Sequence, residues 1–447
     1  MEILVKIGQF LLSLSILVVL HELGHFIFAK LFKARVEKFY MFFNPGFSLF
    51  KFKKGETEYG MGWLPLGGYV KIAGMIDESM DKEQMEQPAQ PWEFRSKPAW
   101  QRLFIMIGGV MVNFILAFFI YIGVLYTWGD QYLPAENVKY GVVCDSLALD
   151  MGIQNGDKIL ELDNKKVESF FSIIPDIILN APKTIQLERD GKMISLDIPS
   201  SFVPALMEKS SKGFKMSPVI TPRVPFEPFE VVRFPKNSLA AKAGMMKGDK
   251  LKAINGEHFQ YFDQFRSRMR QLRGKDIVVT VDRDGISKEL SITLGEDGMI
   301  GVQPKVVPYF EFEVHEYGFL ESIPAGINRG FEKMGAYLKQ FKLIFSSEAK
   351  GYKSIGGFIS IGNIFPGIWN WQAFWNLTAF LSIILAIMNI LPIPALDGGH
   401  VMFLIYEIVT GRKPSDKFME YAQVTGMVLL LGLLVFANAN DVMKLFH

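Results

Sequence analysis

The sequence predicts a multi-domain membrane protein: an α-helical core of four transmembrane spans, a membrane-associated β-hairpin, and two small α+β domains outside the membrane. Three features carry this expectation. Long uncharged apolar stretches recur along the chain, the segment between the second and third contains an internal repeat, and basic residues crowd only some of the loops.

The bulk composition agrees. Of the 447 residues 49% are hydrophobic, 39 of them Phe, and the mean hydropathy is +0.20, more apolar than is usual for a wholly soluble chain. Basic and acidic side chains number 48 and 46 and leave a formal charge of +2. That balance argues against nucleic acid as a partner, because phosphate binding needs a strong local excess of Lys and Arg. The single cysteine, Cys144, excludes an intrachain disulfide and any multi-Cys metal site. It reads as a small buried hydrophobe on a strand.

The first span, Ile7 to Ala29, is apolar yet carries His21, Glu22 and His25. Only Lys6 precedes it closely and no small-residue cleavage pattern follows, so it reads as a retained span and not a signal peptide. Leu103 to Trp128 is a 26-residue stretch without a charge, enough to cross the hydrocarbon core. Ser354 to Leu396 is uncharged for 43 residues, densest in Leu, Ile, Ala and Met from Phe374 to Ala395, and Tyr421 to Asn440 adds a further uncharged 20. Lys30, Lys33, Arg35 and Lys38 behind the first span, and Arg412, Lys413 and Lys417 before the last, mark both loops as cytoplasmic. The expected division is therefore 1–31 (first span), 32–102 (cytoplasmic loop with hairpin), 103–128 (second span), 129–215 and 216–308 (two repeat domains), and 309–350 (amphipathic helix region). The third span with its motif follows at 351–406, then a loop at 407–420 and the fourth span at 421–447.

Gly152 to Ile159 aligns with Gly244 to Leu251, and Arg189-Asp190-Gly191 with Arg283-Asp284-Gly285. Such spacing implies two copies of one domain, each built of short alternating strands with Asp-Gly turns. The Gly-x-x-x-Gly-Asp pattern resembles bacterial PDZ domains, which bind extended peptide at a sheet edge. A spacer whose grooves bind nothing fits the pattern too.

The chemistry rests on His21-Glu22-Leu23-Gly24-His25. Residues four apart share a helix face, so two imidazoles can hold one zinc ion, with Glu22 placed to take a proton from attacking water. Ionisable groups inside a span are expensive and mark function. A catalytic zinc takes three protein ligands, and Asp397, at the end of Asn389-Ile390-Leu391-Pro392-Ile393-Pro394-Ala395-Leu396-Asp397-Gly398-Gly399, is the expected third. Pro392 and Pro394 break the helix before it. Broken backbone at membrane depth is tolerated where it lines a cavity, and Asn389 would point an amide into the same cavity. His400 is expected to support the site without ligating, while His258, His315 and His447 read as solvated.

Together these residues resemble the site-2 protease family of intramembrane zinc metalloproteases. The shared features are H-E-x-x-H in the first span, N-x-x-P-x-x-x-L-D-G in the third and a tandem PDZ pair between the second and third. The resemblance implies that His21, His25 and Asp397 are zinc ligands, Glu22 the general base, and Asn389 a holder of substrate backbone. It further implies a bacterial inner-membrane enzyme with periplasmic PDZ domains and its active site towards the cytoplasm. Its substrates would be single-span membrane proteins, such as a pre-trimmed anti-sigma factor or remnant signal peptides, with the PDZ pair gating access.

Phe47 to Ile72 reads as a β-hairpin around Lys54-Gly55-Glu56. By the resemblance it dips into the membrane and pairs with unwound substrate; by pattern alone it could equally be a cytoplasmic packing element. Ser354 to Ile361 resembles a G-G-P-I-S-I stretch of the family with Phe358 in place of Pro. Ile323, Ile327, Phe331, Met334, Leu338, Phe341 and Phe345 form an amphipathic helix pattern, suited either to the outer membrane surface or to packing on the second repeat copy. Two other classes compete. A membrane-anchored PDZ scaffold would not need H-E-x-x-H together with Asp397, and a metal transporter would want acidic or His-bearing second and fourth spans.

Overall fold

The structure, a computed structural model, describes residues 1–65, 67–75, 87–211, 218–344 and 351–446. Leu66, Phe345, His447, the expected 215/216 boundary and the end of the 309–350 segment lie outside the described residues. Residues 1–130, 207–214 and 315–447 form one compact unit, and residues 131–206 and 215–314 a second.

Among the described residues of the first unit, the α-helices are α1 (Glu2–Leu31), α2 (Ala99–Trp128), α3 (Phe319–Ile344), α4 (Phe358–Asn363), α5 (Trp371–Ile390), α6 (Asp397–Thr410) and α7 (Asp416–Leu445). Four of them are long and apolar enough to cross a membrane: α1, α2, α5 and α7, the last counted from Lys417. The buried stripe of α1 runs through Gln9, Ser13, Leu17, His21, Gly24, His25 and Ala29. Its three- and four-residue spacing places Gln9, Ser13, His21 and His25 inside the bundle and leaves Ile3, Leu4, Ile7, Leu12, Ile27 and Leu31 exposed, the arrangement lipid demands. Polar contacts tie the spans together: Thr378 of α5 donates to Ser13 of α1 at 3.0 Å, and Ser382 donates to the Asn113 carbonyl of α2 at 2.8 Å. Arg102 at the start of α2 donates to Glu407 of α6 at 2.5 Å.

Between α1 and α2 the described residues form four strands, β1 (Val36–Met41), β2 (Phe43–Lys54), β3 (Thr57–Leu64) and β4 (Tyr69–Ile72), in the sheet order β2-β3-β1-β4. β2 and β3 form the hairpin, turning at Gly55-Glu56. It closes earlier than the sequence suggests. β4 is a separate strand, antiparallel to β1, while β1 runs parallel to β3. Pro65, which cannot continue a hydrogen-bonded ladder, stands where the hairpin ends. Phe47, Leu49, Phe50, Phe52 and Trp63 leave the hairpin with an exposed aromatic and aliphatic face.

The amphipathic helix α3 lies along α2. The sequence pattern shows its apolar residues but not its small ones: Ser322, Gly326 and Gly330 are the buried positions. Gly326 approaches Ile122, Gly330 approaches Phe118, and Phe319 meets Tyr126 with ring centroids 5.8 Å apart. A small-residue stripe at four-residue spacing lets helices pack closely in lipid, and Arg329 pairs with Asp130 beside it. Phe358 is the first residue of α4, a position that suits Pro because its N–H has no helical partner. Here that N–H donates to Asn438 of α7 at 3.4 Å, and the next-but-one amide, Ser360, donates to Asp441 at 2.8 Å. The departure from Pro therefore leaves the helix start intact.

The second unit holds the two repeat copies, each with its own hydrophobic core. In the first, Lys158–Leu162, Thr184–Arg189 and Lys192–Asp197 build a sheet; in the second, Lys250–Ile254, Asp276–Arg283 and Ile286–Thr293 do so in the same order. The matched motifs meet in space. Arg189 donates two bonds to Asp157 at 2.8 and 2.7 Å and one to the Gly152 carbonyl at 2.8 Å. Arg283 does the same to Asp249 at 2.7 and 2.8 Å and to Gly244 at 2.8 Å. The Arg of each Arg-Asp-Gly turn thus clamps the Gly-x-x-x-Gly-Asp turn of its own copy. Ile220–Pro222, beyond the expected 215/216 boundary, pairs with Val142–Cys144, and Val219 and Ile220 lie in the first core.

Candidate metal centre

α1 is uncharged over most of its length and holds no Gly or Pro near its middle until Gly24, so it carries His21 and His25 on one face one turn apart. α2 crosses α1 at that point. A Cβ on Gly24 would meet the Gly108 carbonyl, and one on Gly109 would lie 2.5 Å from His25 Nε2 and 2.6 Å from His21 Cε1. Glycine at these positions lets the helices touch and leaves room for both rings.

The third group arrives from the broken helix. α5 ends at Ile390, the chain bends through Leu391 to Leu396 around Pro392 and Pro394, and α6 begins at Asp397. Ala395 takes a left-handed φ of 80°, a strain that persists only where surroundings enforce it. Cβ atoms on Gly398 and Gly399 would strike the backbone of this bend, so the glycines let the first turn of α6 fold over it.

The result is a convergence. His21 Nε2 lies 3.3 Å from His25 Nε2 and 3.2 Å from Asp397 Oδ2, and His25 Nε2 lies 3.4 Å from the same oxygen. A tetrahedral zinc ion with bonds of about 2.0–2.1 Å separates its ligands by about 3.3–3.4 Å. Apart from these two imidazole nitrogens, Asp397 Oδ2 is buried with no hydrogen-bond partner among the described residues, an acceptor that a cation would satisfy. Two imidazoles and one carboxylate form a donor set that suits zinc. His25 Nδ1 lies 2.8 Å from the Ile105 carbonyl of α2; it therefore carries the proton there and leaves Nε2 free to ligate.

Glu22, His400 and the β4 residues Tyr69 to Ile72 line a cavity of about 450 Å³ with the three converging groups. Asn389, on the last turn of α5, brings its amide nitrogen to 3.1 Å from His21 Nε2. Every residue singled out for the site is thus gathered there, whereas His258 and His315 are exposed elsewhere. Sequence reasoning missed Asn113 of α2, whose amide nitrogen lies 3.1 Å from His21 Nδ1 and whose Oδ1 is buried without a partner. Its signal was present: a lone amide in the middle of an otherwise apolar span.

Comparison with known proteins agrees with this chemistry. Peptidase family M50 matches residues 9–433, and the chain belongs to that family: it is an intramembrane zinc metalloprotease of the site-2 type. Among its relatives are the regulator of sigma E protease of Haemophilus influenzae, 29% identical with all of both chains covered, and the regulator of sigma-E protease RseP of Escherichia coli, 28% identical over 98% of each. A Neisseria meningitidis relative named as a zinc metalloprotease is 27% identical over 98% of both chains.

Proposed function

We propose that His21, His25 and Asp397 hold one catalytic zinc ion per chain, that Glu22 is the general base, and that Asn389 holds the substrate backbone. The observation that carries this reading is the approach of three ligand atoms, from two helices distant in sequence, to within 4.8 Å of one another. When bound, zinc supplies a Lewis acid that acidifies water towards a pKa of about 7 and polarises the scissile carbonyl. Glu22, beside His21 in the cavity, takes the proton of the attacking water and returns it to the departing amine nitrogen.

A transmembrane helix hides its carbonyls in hydrogen bonds and must unwind before cleavage. β4 pairs on one side with β1 and lines the cavity on the other, so an unwound substrate strand can add to its edge while Asn389 holds the next peptide group. The exposed aromatic hairpin face dips into the membrane. The two repeat copies are PDZ domains whose grooves take peptide and which together exclude substrates with bulky outside domains.

On this reading the protein lies in a bacterial inner membrane with its basic loops cytoplasmic, its PDZ domains periplasmic and its active site towards the cytoplasm. Because relatives are named regulators of sigma-E, its substrates are single-span membrane proteins, such as an anti-sigma factor already trimmed outside or remnant signal peptides. The test compares wild type with Glu22→Gln in detergent micelles on a tagged single-span substrate, with mass spectrometry locating the cut. Cleavage inside the span by wild type alone, lost with a zinc chelator and restored by zinc, is expected; equal cleavage by both overturns the assignment. Deleting 129–315 is expected to release cleavage of untrimmed substrates, and loss of cleavage of trimmed ones would make the pair a recruiter.

A further inference from the structure

His21 has amide groups against both of its ring nitrogens. Asn389 Nδ2 lies 3.1 Å from Nε2, and Asn113 Nδ2 lies 3.1 Å from Nδ1. A neutral imidazole has one donor and one acceptor nitrogen, so it cannot accept from two amides at once. Asn113 Oδ1 is meanwhile buried without a hydrogen-bond partner, in a residue that is 0% exposed. The oxygen and nitrogen of an amide have nearly the same shape, and a half-turn about χ2 exchanges them at no steric cost. That half-turn removes the conflict and satisfies the orphan together: Nδ1–H of His21 donates to Asn113 Oδ1, and Nε2 keeps its lone pair. The same exchange at Asn389 would leave Oδ1 of Asn113 unpaired and put a proton on Nε2, the nitrogen that faces His25 and Asp397.

We infer that Asn113 is a positioning residue of the metal centre: its side-chain oxygen holds His21 in the tautomer that presents Nε2 as a ligand. It does for His21 what the Ile105 carbonyl does for His25, and both supports come from α2. The Asn113 carbonyl in turn accepts from Ser382 of α5 at 2.8 Å, which fixes the support against the helix that leads to Asn389. This inference rests on the reading of His21 as a zinc ligand.

The experiment measures zinc affinity of the full-length protein in detergent by competition with a chromogenic chelator. It compares wild type, Asn113→Leu and Asn113→Asp, all carrying Glu22→Gln to prevent self-cleavage. Leu keeps the size and removes the acceptor; Asp keeps an acceptor. Loss of such a supporting group costs about 10- to 100-fold in metal affinity, so Asn113→Leu should fall by that factor while Asn113→Asp stays within a few-fold of wild type. Equal affinity of Asn113→Leu and wild type overturns the inference, as does a parallel loss in both variants, which would mean packing alone. If the Leu variant does not fold, judged by thermal unfolding of the zinc-free form, Asn113→Ala takes its place with the same expected loss. Absence of zinc binding by the parent protein would instead sink the zinc-ligand reading itself.

Discussion

Gly24 of α1 and Gly108 of α2 face each other so closely that a Cβ on either would meet the backbone of the other. This contact sets how deeply α2 reaches into the site, and therefore where Ile105 and Asn113 stand relative to the two imidazoles. Gly24→Ala should push the helices apart, with the cost of overpacking at about 1–3 kcal/mol, and reduce retained zinc. Gly123, on α2 with nothing within 4 Å of its would-be Cβ among the described residues, is the control: Gly123→Ala should keep its zinc and melt at the wild-type temperature or above. Metal content and thermal unfolding of the two variants check this.

Glu22 lines the cavity beside groups that converge without it. Glu22→Gln should therefore lower the cleavage rate by about 10²- to 10⁴-fold with zinc content unchanged. His21→Ala or Asp397→Ala should lose activity and zinc together. Single-turnover assays alongside elemental analysis separate the two outcomes.

The clamp in the second repeat predicts acid sensitivity. Arg283, hydrogen-bonded to the buried Asp249, holds that carboxyl below the usual carboxylate value. A depressed carboxylate stabilises the fold above its unfolded value, about 3.9, and that contribution disappears as pH falls through the lower folded value. Arg283→Leu strands a buried charge and should cost about 3–5 kcal/mol at neutral pH, a gap that closes at pH values below the carboxylate range. Hydrogen–deuterium exchange of peptides from 250–293, followed against pH, reads this locally.

Cys144 lies partly buried in the first repeat, and burial pushes its thiol up to about 12. Since the thiolate is the reactive form, the native protein should resist maleimide or iodoacetamide at pH 8 and label fully once denatured. Rapid labelling of folded protein would contradict the burial.

Much of this was legible because it is local. Two histidines four apart on an uncharged stretch declare a helix face, and two prolines declare where the third span breaks. The repeat was visible as matched turns, but not the reason for the match: the Arg and Gly-Asp signatures lie about thirty residues apart and meet only when the sheet forms. The β4 edge was hidden because a strand's partner is not written in its own alternation, and β1 pairs in parallel with β3 across the intervening strand β2. The packing face of α3 was hidden because an apolar stripe announces itself while Ser322, Gly326 and Gly330 look like gaps. Asn113 carries no charge, and a single amide does not interrupt the apolar run of α2.

The converging groups also order events during synthesis. His21 and His25 precede Asp397 by more than 370 residues, so the ribosome adds the whole intervening segment before the third group exists. Until then the nascent chain carries His21, Glu22 and His25 without the carboxylate that converges on the two imidazoles. A chain truncated upstream of Asp397 therefore keeps the two imidazoles and lacks the group that converges with them.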